Sequence, residues 1–212
     1  IYIMGKTDSV SQAAEDQAVS VVKAAVNAVV SKVNVVRIDG SNRYETSAKA
    51  VTQAGAASIS QFDLGSGFLR TAFLASGVVN ADALAAGGLS AGAGIPVLLA
   101  NGDSVAPSVA KVISDLNIKQ LIVLGGTDRI SEKAIDGLKT DHGVTNVIRI
   151  AGVGSYGRYD TAAQLNDMAF YAATGLKLTA GDTAYLASGS TGFADALTVG
   201  PLAGVSTSVL LT

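Results

Sequence analysis

The sequence has no cysteine, no tryptophan, three prolines and a single histidine, His142. Without cysteine there are no disulfides, no thiolate metal sites and no thiol nucleophile. One histidine leaves a Ser-His-Asp relay a single place to stand. His142 lies in "TDHG", before a helix-stopping glycine, which is the setting of a capping or solvated group. No H-E-x-x-H pair or Cys/His ligand set occurs. The formal charge is -2 with a pI of about 5.3, so no global basic field holds nucleic acid or anionic lipid, and any anionic partner is held by local groups. The most apolar stretch near the start, "AVSVVKAAVNAVVSKVNVV", is interrupted by Lys23 and Lys32 and does not read as membrane-spanning. No signal peptide is read either, because residue 1 already lies in the strand-like "IYIM"; the chain reads as mature or trimmed.

What the chain does have is 212 residues, 49% of them apolar, and 24 glycines among many alanines. Such a mixture folds around a sizeable core and lets helices and sheets approach closely.

It also repeats itself. "GKTDSVS" from Gly5 resembles "GGTDRIS" from Gly125, an offset of 120, and "VVRIDGSNRYETSA" resembles "VIRIAGVGSYGRYDTAA", with Arg37 matching Arg149 and Arg43 matching Arg158. "LASGVVNADALAAGGL" resembles "LASGSTGFADALTVGPL", with Asp82 matching Asp195, and "IPVLLAN" resembles "STSVLLT", with Leu98 matching Leu210. Landmarks that keep one order at nearly one offset mark a unit of about 112 to 120 residues. The expected organisation is the tail of one copy (1–33), a complete copy (34–145) and the front half of a further copy (146–212), a piece of a longer array. Within the complete copy, apolar runs at "VNVVRI", "TAFLAS", "IPVLLA" and "QLIVLGG" alternate with helix-patterned segments 42–55, 81–92, 104–116 and 130–141. That is (βα) four times, in a parallel sheet with helices on both faces, and 55–70 reads as a loop.

Two motifs suggest nucleotide chemistry. Gly152, Gly154 and Gly157 have the G-x-G-x-x-G spacing after the strand-like "NVIRI", yet the matched copy reads "DGSNRYET", three residues shorter and without the second and third glycines. The acid that would hold a ribose is also out of place, because the first one, Asp182, precedes the next strand. "GKT" at Gly5 to Thr7 imitates the end of a P-loop but abuts its strand directly, with no turn to surround a phosphate, and Gly126 stands where Lys6 does.

The repeated polar residues are better candidates. "NRYET" and "GRYDT" each open a helix, with Asn42 and Glu45 in capping-box-like positions. A repeated arginine at the positive end of a helix is unfavourable and points to a partner. One reading is a brace, Arg43 and Arg158 bridging Asp82 and Asp195, whose carboxylates cap their own helices. The other is that Arg43 and Arg158 line a cleft at the sheet's carboxyl edge and meet an anionic group bidentately. In "IPVLLAN" Pro96 opens a strand of core composition, whose leucines pack in the core, between copies, or beside a site at a copy boundary.

Taken together, these landmarks resemble the cell-wall-binding repeat 2 family of clostridial S-layer proteins and of wall-associated amidases of other Gram-positive bacteria. The matching segments are "RIDGSNRYETSAKA" and "RIAGVGSYGRYDTAA", the two "ADAL" helices, "IPVLL" and "LIVLGGTDRIS". The resemblance implies an α/β fold of tandem Rossmann-like (βα) repeats with parallel sheets in three αβα layers, packed with neighbouring repeats in a pseudo-threefold arrangement. It implies an extracellular protein of the cell wall or S-layer, anchored non-covalently by an anionic wall polysaccharide or teichoic-acid-like polymer. No enzymatic turnover, cofactor, metal, nucleic-acid partner or membrane insertion is expected. The residues expected at the polymer are Arg43, Arg158, Pro96, Val97, Leu98, Leu99, Asp82 and Asp195, with Val97 a departure from the family's P-I-L-L strand and Ser208 replacing the proline in the further copy. The alternative is a Rossmann-like enzyme domain that binds a nucleotide or phosphorylated sugar.

Overall fold

The computed structural model describes residues 1–25, 33–179, 181–190, 193–204 and 208–212; the part of the first copy's tail at 26–32 lies outside the described residues. Strand β1 (Tyr2–Met4) is followed by helix α1 (Gln12–Ala25) and pairs in parallel with β2 (Val36–Ile38). Helix α2 (Arg43–Ala54) then leads to a hairpin, β3 (Gln61–Asp63) against β4 (Phe68–Ser76). The region expected as a loop therefore carries sheet. Its turn is built by Asp63, whose Oδ1 accepts from the backbone N–H groups of Gly65 and Gly67, both at 3.0 Å.

After β4 come α3 (Ala81–Ala85), α4 (Gly87–Ala93), β5 (Val97–Ala100), α5 (Pro107–Asp115), β6 (Gln120–Leu124), α6 (Glu132–His142) and β7 (Asn146–Ile150). The segment 81–92, expected as one helix, breaks at Ala86. Beyond it, α7 (Gly157–Phe170), β8 (Ala184–Ala187), α8 (Phe193–Ala203) and β9 (Ser208–Leu211) end the chain, with β8 and β9 again parallel.

The main sheet is mixed and mostly parallel. β4 pairs with β6 on one edge and with β5, and the short β3, on the other; β6 pairs with β7. Across the sheet the parallel strands run β5, β4, β6, β7, so the chain leaves β4 in one direction and returns past it to β6. The strand "NVIRI", which opens the further sequence copy, completes this sheet, and "VRI" of the complete copy pairs with β1. Sequence periodicity and sheet membership are thus out of phase by one strand.

Both faces are covered, which is why β4 and β6 are apolar without alternation. Phe73, Ala75, Ile122 and Leu124 face a core that also holds Leu84, Leu89 and Leu165 from α3, α4 and α7. Ala72, Leu74, Leu121 and Val123 face the other, with Val51, Val109, Ile113 and Ile135 from α2, α5 and α6. Full burial of each large side chain contributes roughly 1.5–3 kcal/mol.

Helices α4 and α8 touch at matched positions. A Cβ on Gly87 would sit 3.6 Å from the Cα of Gly200, and one on Gly88 only 3.0 Å from the Cβ of Ala203, so small residues set this approach. Leu197 and Leu202 of α8 are 62% and 69% exposed, whereas their matched partners Leu84 and Leu89 are buried.

Candidate functional site

At the carboxyl ends of β4, β6 and β7 lies a polar cleft of about 300 Å³. It occupies the point where strand order reverses, between β4 and β6, which is where open α/β sheets hold ligands. Two tight turns build its floor. Gly125 follows β6 with φ +99, a conformation that favours glycine, and its N–H donates to Ile150 O at 2.8 Å. A side chain there would also strike the Asp82 carboxylate, 2.7 Å from the position of a Cβ. Gly152 follows β7, and a Cβ on it would fall 2.1 Å from Gly157 O, so the helix start of α7 presses directly on this glycine.

Around that floor stand Asp82 of α3, Asp128 and Arg129 of the turn after β6, and Arg158 and Thr161 of α7. Asp82 is 6% exposed. Burial pushes its carboxyl above the ordinary aspartate range, against the opposing pull of the Thr161 hydroxyl and of the Arg129 and Arg158 charges; the Asp128 carboxylate adds to the upward push. Asp128 pairs with Arg129 at 3.5 Å. Arg149 supports the turn from behind, donating to Gly125 O at 2.9 Å and to Glu132 Oε1 at 2.8 Å.

The expected arginine–aspartate bridge is not formed among the described residues; both arginines hold backbone carbonyls instead. Nη1 of Arg158 donates to Gly189 O and Nη1 of Arg43 to Gly77 O, each at 2.5 Å, and neither arginine forms an ion pair with Asp82 or Asp195 among the described residues. A guanidinium has five N–H donors, so each keeps others for the cleft it lines. Asp82 does not cap α3 either; its carboxyl turns to Gly125 and Thr161.

The expected residues separate into five places. Asp82 and Arg158 meet in this cleft, while Arg43 and Leu99 meet in another of about 510 Å³ beside β1 and β2. Pro96 and Val97 line an apolar groove of about 440 Å³ with Val51 and Ile59. Leu98 is fully buried in the core, and Asp195 is exposed on the first turn of α8, lining none of these. Arg129 and Asp128 were missed, Arg129 because its matched residue is Ser9: a search for repetition passes over what differs.

The two nucleotide-like motifs resolve differently from their models. β7, the glycine turn and α7 form a strand-turn-helix, but the next strand, β8, pairs with β9 in another sheet, so among the described residues the βαβ unit of a dinucleotide site is not formed. Gly5 follows β1 at once, as its spacing indicated. His142, the last residue of α6, shares a 2.9 Å hydrogen bond through Nδ1 with Ser114 Oγ on the surface. No third group orients its Nε2 among the described residues.

The Cell wall binding domain 2 (CWB2) family model matches residues 37–135 and 149–212. The chain is 30% identical over 165 residues to N-acetylmuramoyl-L-alanine amidase LytC of Bacillus subtilis (strain 168), which covers 78% of this chain and 27% of the amidase. Among solved structures it is similar to Cwp8 from Clostridium difficile, with a TM-score of 0.69 and 29% identity over all of this chain and 31% of that one. It is also similar to Cwp6 from Clostridium difficile, with a TM-score of 0.64 and 25% identity over 82% of this chain and 24% of that one. The chain thus spans about a quarter to a third of the length of these relatives. No helix among the described residues is long and apolar enough to cross a membrane.

Proposed function

This chain belongs to the cell wall binding domain 2 family, and on that premise we propose that it anchors a bacterial surface protein non-covalently by holding an anionic secondary wall polymer in the cleft between β4 and β6. Cell wall binding is what the family is described by; the ligand and the site are our reading. The observation that carries it is the pairing of Arg129 and Arg158 with two glycine turns at the point where strand order reverses. Both guanidiniums carry unspent donors into this polar cleft, and the planar fork of a guanidinium suits bidentate recognition of a phosphate or carboxylate. A protonated Asp82 adds a hydroxyl donor, and when ionised it accepts from a sugar hydroxyl. The arrangement suits binding without turnover. Residence in the extracellular wall or S-layer follows from the same reading.

For the fold we propose tandem Rossmann-like (βα) repeats in three αβα layers, divided near 1–33, 34–145 and 146–212 and packed with neighbouring copies about a pseudo-threefold axis. Recurrent bonds support this. Gly5 N–H donates to Ile38 O as Gly125 N–H does to Ile150 O, both at 2.8 Å, and the N–H groups of Gly40 and Gly152 donate to Thr46 and Thr161 hydroxyls at 2.9 and 3.0 Å. The Gly87 and Gly200 approach and the exposed Leu197 and Leu202 fit a further helix of the same type lying against α8.

The test is co-sedimentation with purified wall, before and after its anionic polymer is stripped, beside a thermal-shift screen of nucleotides. Binding that disappears on stripping, and that weakens about five-fold or more in Arg129→Ala, supports the reading. Unchanged binding to stripped wall would refute the polymer. A nucleotide shift without wall binding would favour a Rossmann-like enzyme domain.

A further inference from the structure

The cleft beside β1 and β2 is built on the same plan as the one at β4 and β6. Gly5, Asp8, Gly40, Arg43 and Thr46 line it where Gly125, Asp128, Gly152, Arg158 and Thr161 line the other. Its two glycine turns make the same backbone bonds, and its arginine holds the same carbonyl of the strand tip above it. The two turns differ in where one cation stands. In the β6 turn the charge is on Arg129, and Gly126, three residues earlier, has no side chain; in the β1 turn Ser9 stands at the arginine position and Lys6 at the glycine position.

The charge has moved within the turn and has not been lost. Lys6 makes no ion pair among the described residues, and Asp8 meets only the Ser9 hydroxyl, at 3.3 Å. The second cleft therefore has two lining cations, Lys6 and Arg43, beside Asp8. Leu99 adds an apolar wall of the kind a sugar ring packs against.

We infer that the cleft of Lys6, Arg43 and Leu99 is a second binding site for the same ligand class, a glycan bearing oxyanions, in which Lys6 supplies the charge that Arg129 supplies in the first. This rests on the anionic-polymer reading above. Two such sites on one chain hold a repeating ligand together, so that loss of either weakens binding and loss of both weakens it more than either. The P-loop-like "GKT" is explained by this: its lysine serves an anion from a cleft between copies, without a phosphate-wrapping loop.

The experiment measures binding of the full chain by isothermal titration to a poly(glycerol phosphate) and, separately, to a polygalacturonate of matched length, with dextran as the uncharged control, at low and high salt. Lys6→Gly is expected to weaken binding of one of the two anionic probes roughly five-fold, as removal of one partly exposed charge does, and Lys6→Arg to retain it. The decisive variant is Lys6→Gly with Ser9→Arg, which copies the first cleft and is expected to bind within about two-fold of the wild type. The phosphate and carboxylate probes distinguish the source of the oxyanion. If Arg129→Ala weakens binding while Lys6→Gly does not, the second site is refuted and the anchoring reading stands. If the wild-type chain binds neither anionic probe, or binds dextran equally, both fall.

Discussion

Arg158 donates from Nη1 to the carbonyl oxygen of Gly189 at 2.5 Å, tying the start of α7 to the tip of β8, and Arg43 ties α2 to Gly77 in the same way. An arginine at the positive end of a helix is tolerable here because one of its N–H groups satisfies the carbonyl of a buried glycine.

The first prediction follows from that bond. Arg158→Lys keeps the charge but loses the planar fork that reaches both the carbonyl and the cleft. Urea unfolding should show a loss of about 1–2 kcal/mol, the scale of one hydrogen bond from a charged donor. Unchanged stability would show that the brace contributes nothing to the fold.

Leu98 and Leu99 should separate into a stability residue and a binding residue. Leu98 is fully buried against the α2 and α5 core, so Leu98→Ala should cost about 2–5 kcal/mol through the cavity it leaves. Leu99 is half-buried and lines the cleft of Arg43 and Lys6. Leu99→Ala should leave the folded fraction near the wild type in a thermal melt and weaken wall binding. Changing Leu98 and Leu99 together should weaken anchoring more than changing Leu210 and Leu211 together; equal losses on folded variants would overturn that ranking.

Asp82 gives a pH dependence of defined sign. Its folded pKa lies above the ordinary value because burial disfavours the carboxylate. Its contribution to stability is therefore greatest below the ordinary aspartate pKa and is lost as pH rises through the folded value. Asp82→Asn removes this titration without changing size. Relative to the wild type, its Tm should be higher at pH 7 than the same comparison gives at pH 4. A difference independent of pH would show that Asp82 ionises in the fold at no cost.

Glu45 has the opposite sign. Hydrogen bonds from the Ser41 hydroxyl and backbone N–H, at 2.6 and 2.7 Å, and from Lys49 hold its carboxyl down at about 2. The stability it contributes is present above the ordinary glutamate pKa and is lost as pH falls from there toward about 2. The Tm difference between wild type and Glu45→Gln should therefore shrink across that acidic window, and a constant gap would contradict the assignment.

Much of this site was legible one residue at a time. Asn42 and Glu45 read as a capping box, and Asn42 Oδ1 does accept from Glu45 N–H at 2.9 Å, although the glutamate carboxylate reaches Ser41, one residue before the cap. The turns at Gly125 and Gly152 were not legible as parts of a site, since Gly152, Gly154 and Gly157 are set aside when the matched copy lacks two of those glycines. Arg129 and Lys6 were not legible either, since repetition finds shared residues and these two carry the same charge from different positions. The hairpin at 61–70 was signalled by Asp63, Gly65 and Gly67 between short apolar segments, a turn pattern weaker than the helical periodicity on either side.

The amino-acid sequence alone determined what depends on neighbours along the chain: where most of the strands and helices fall, that their apolar pattern demands cover on both sheet faces, and that one pattern of residues recurs at an offset of 112 to 120. The tertiary structure decided what depends on neighbours in space. It assigned "NVIRI" to the sheet of the preceding copy, sent Arg43 and Arg158 to carbonyls instead of carboxylates, and buried Asp82 while leaving its match Asp195 in solvent. Strand partners and the surroundings of a charge are set by contacts between residues far apart in sequence, and periodicity carries no record of which distant segment supplies them.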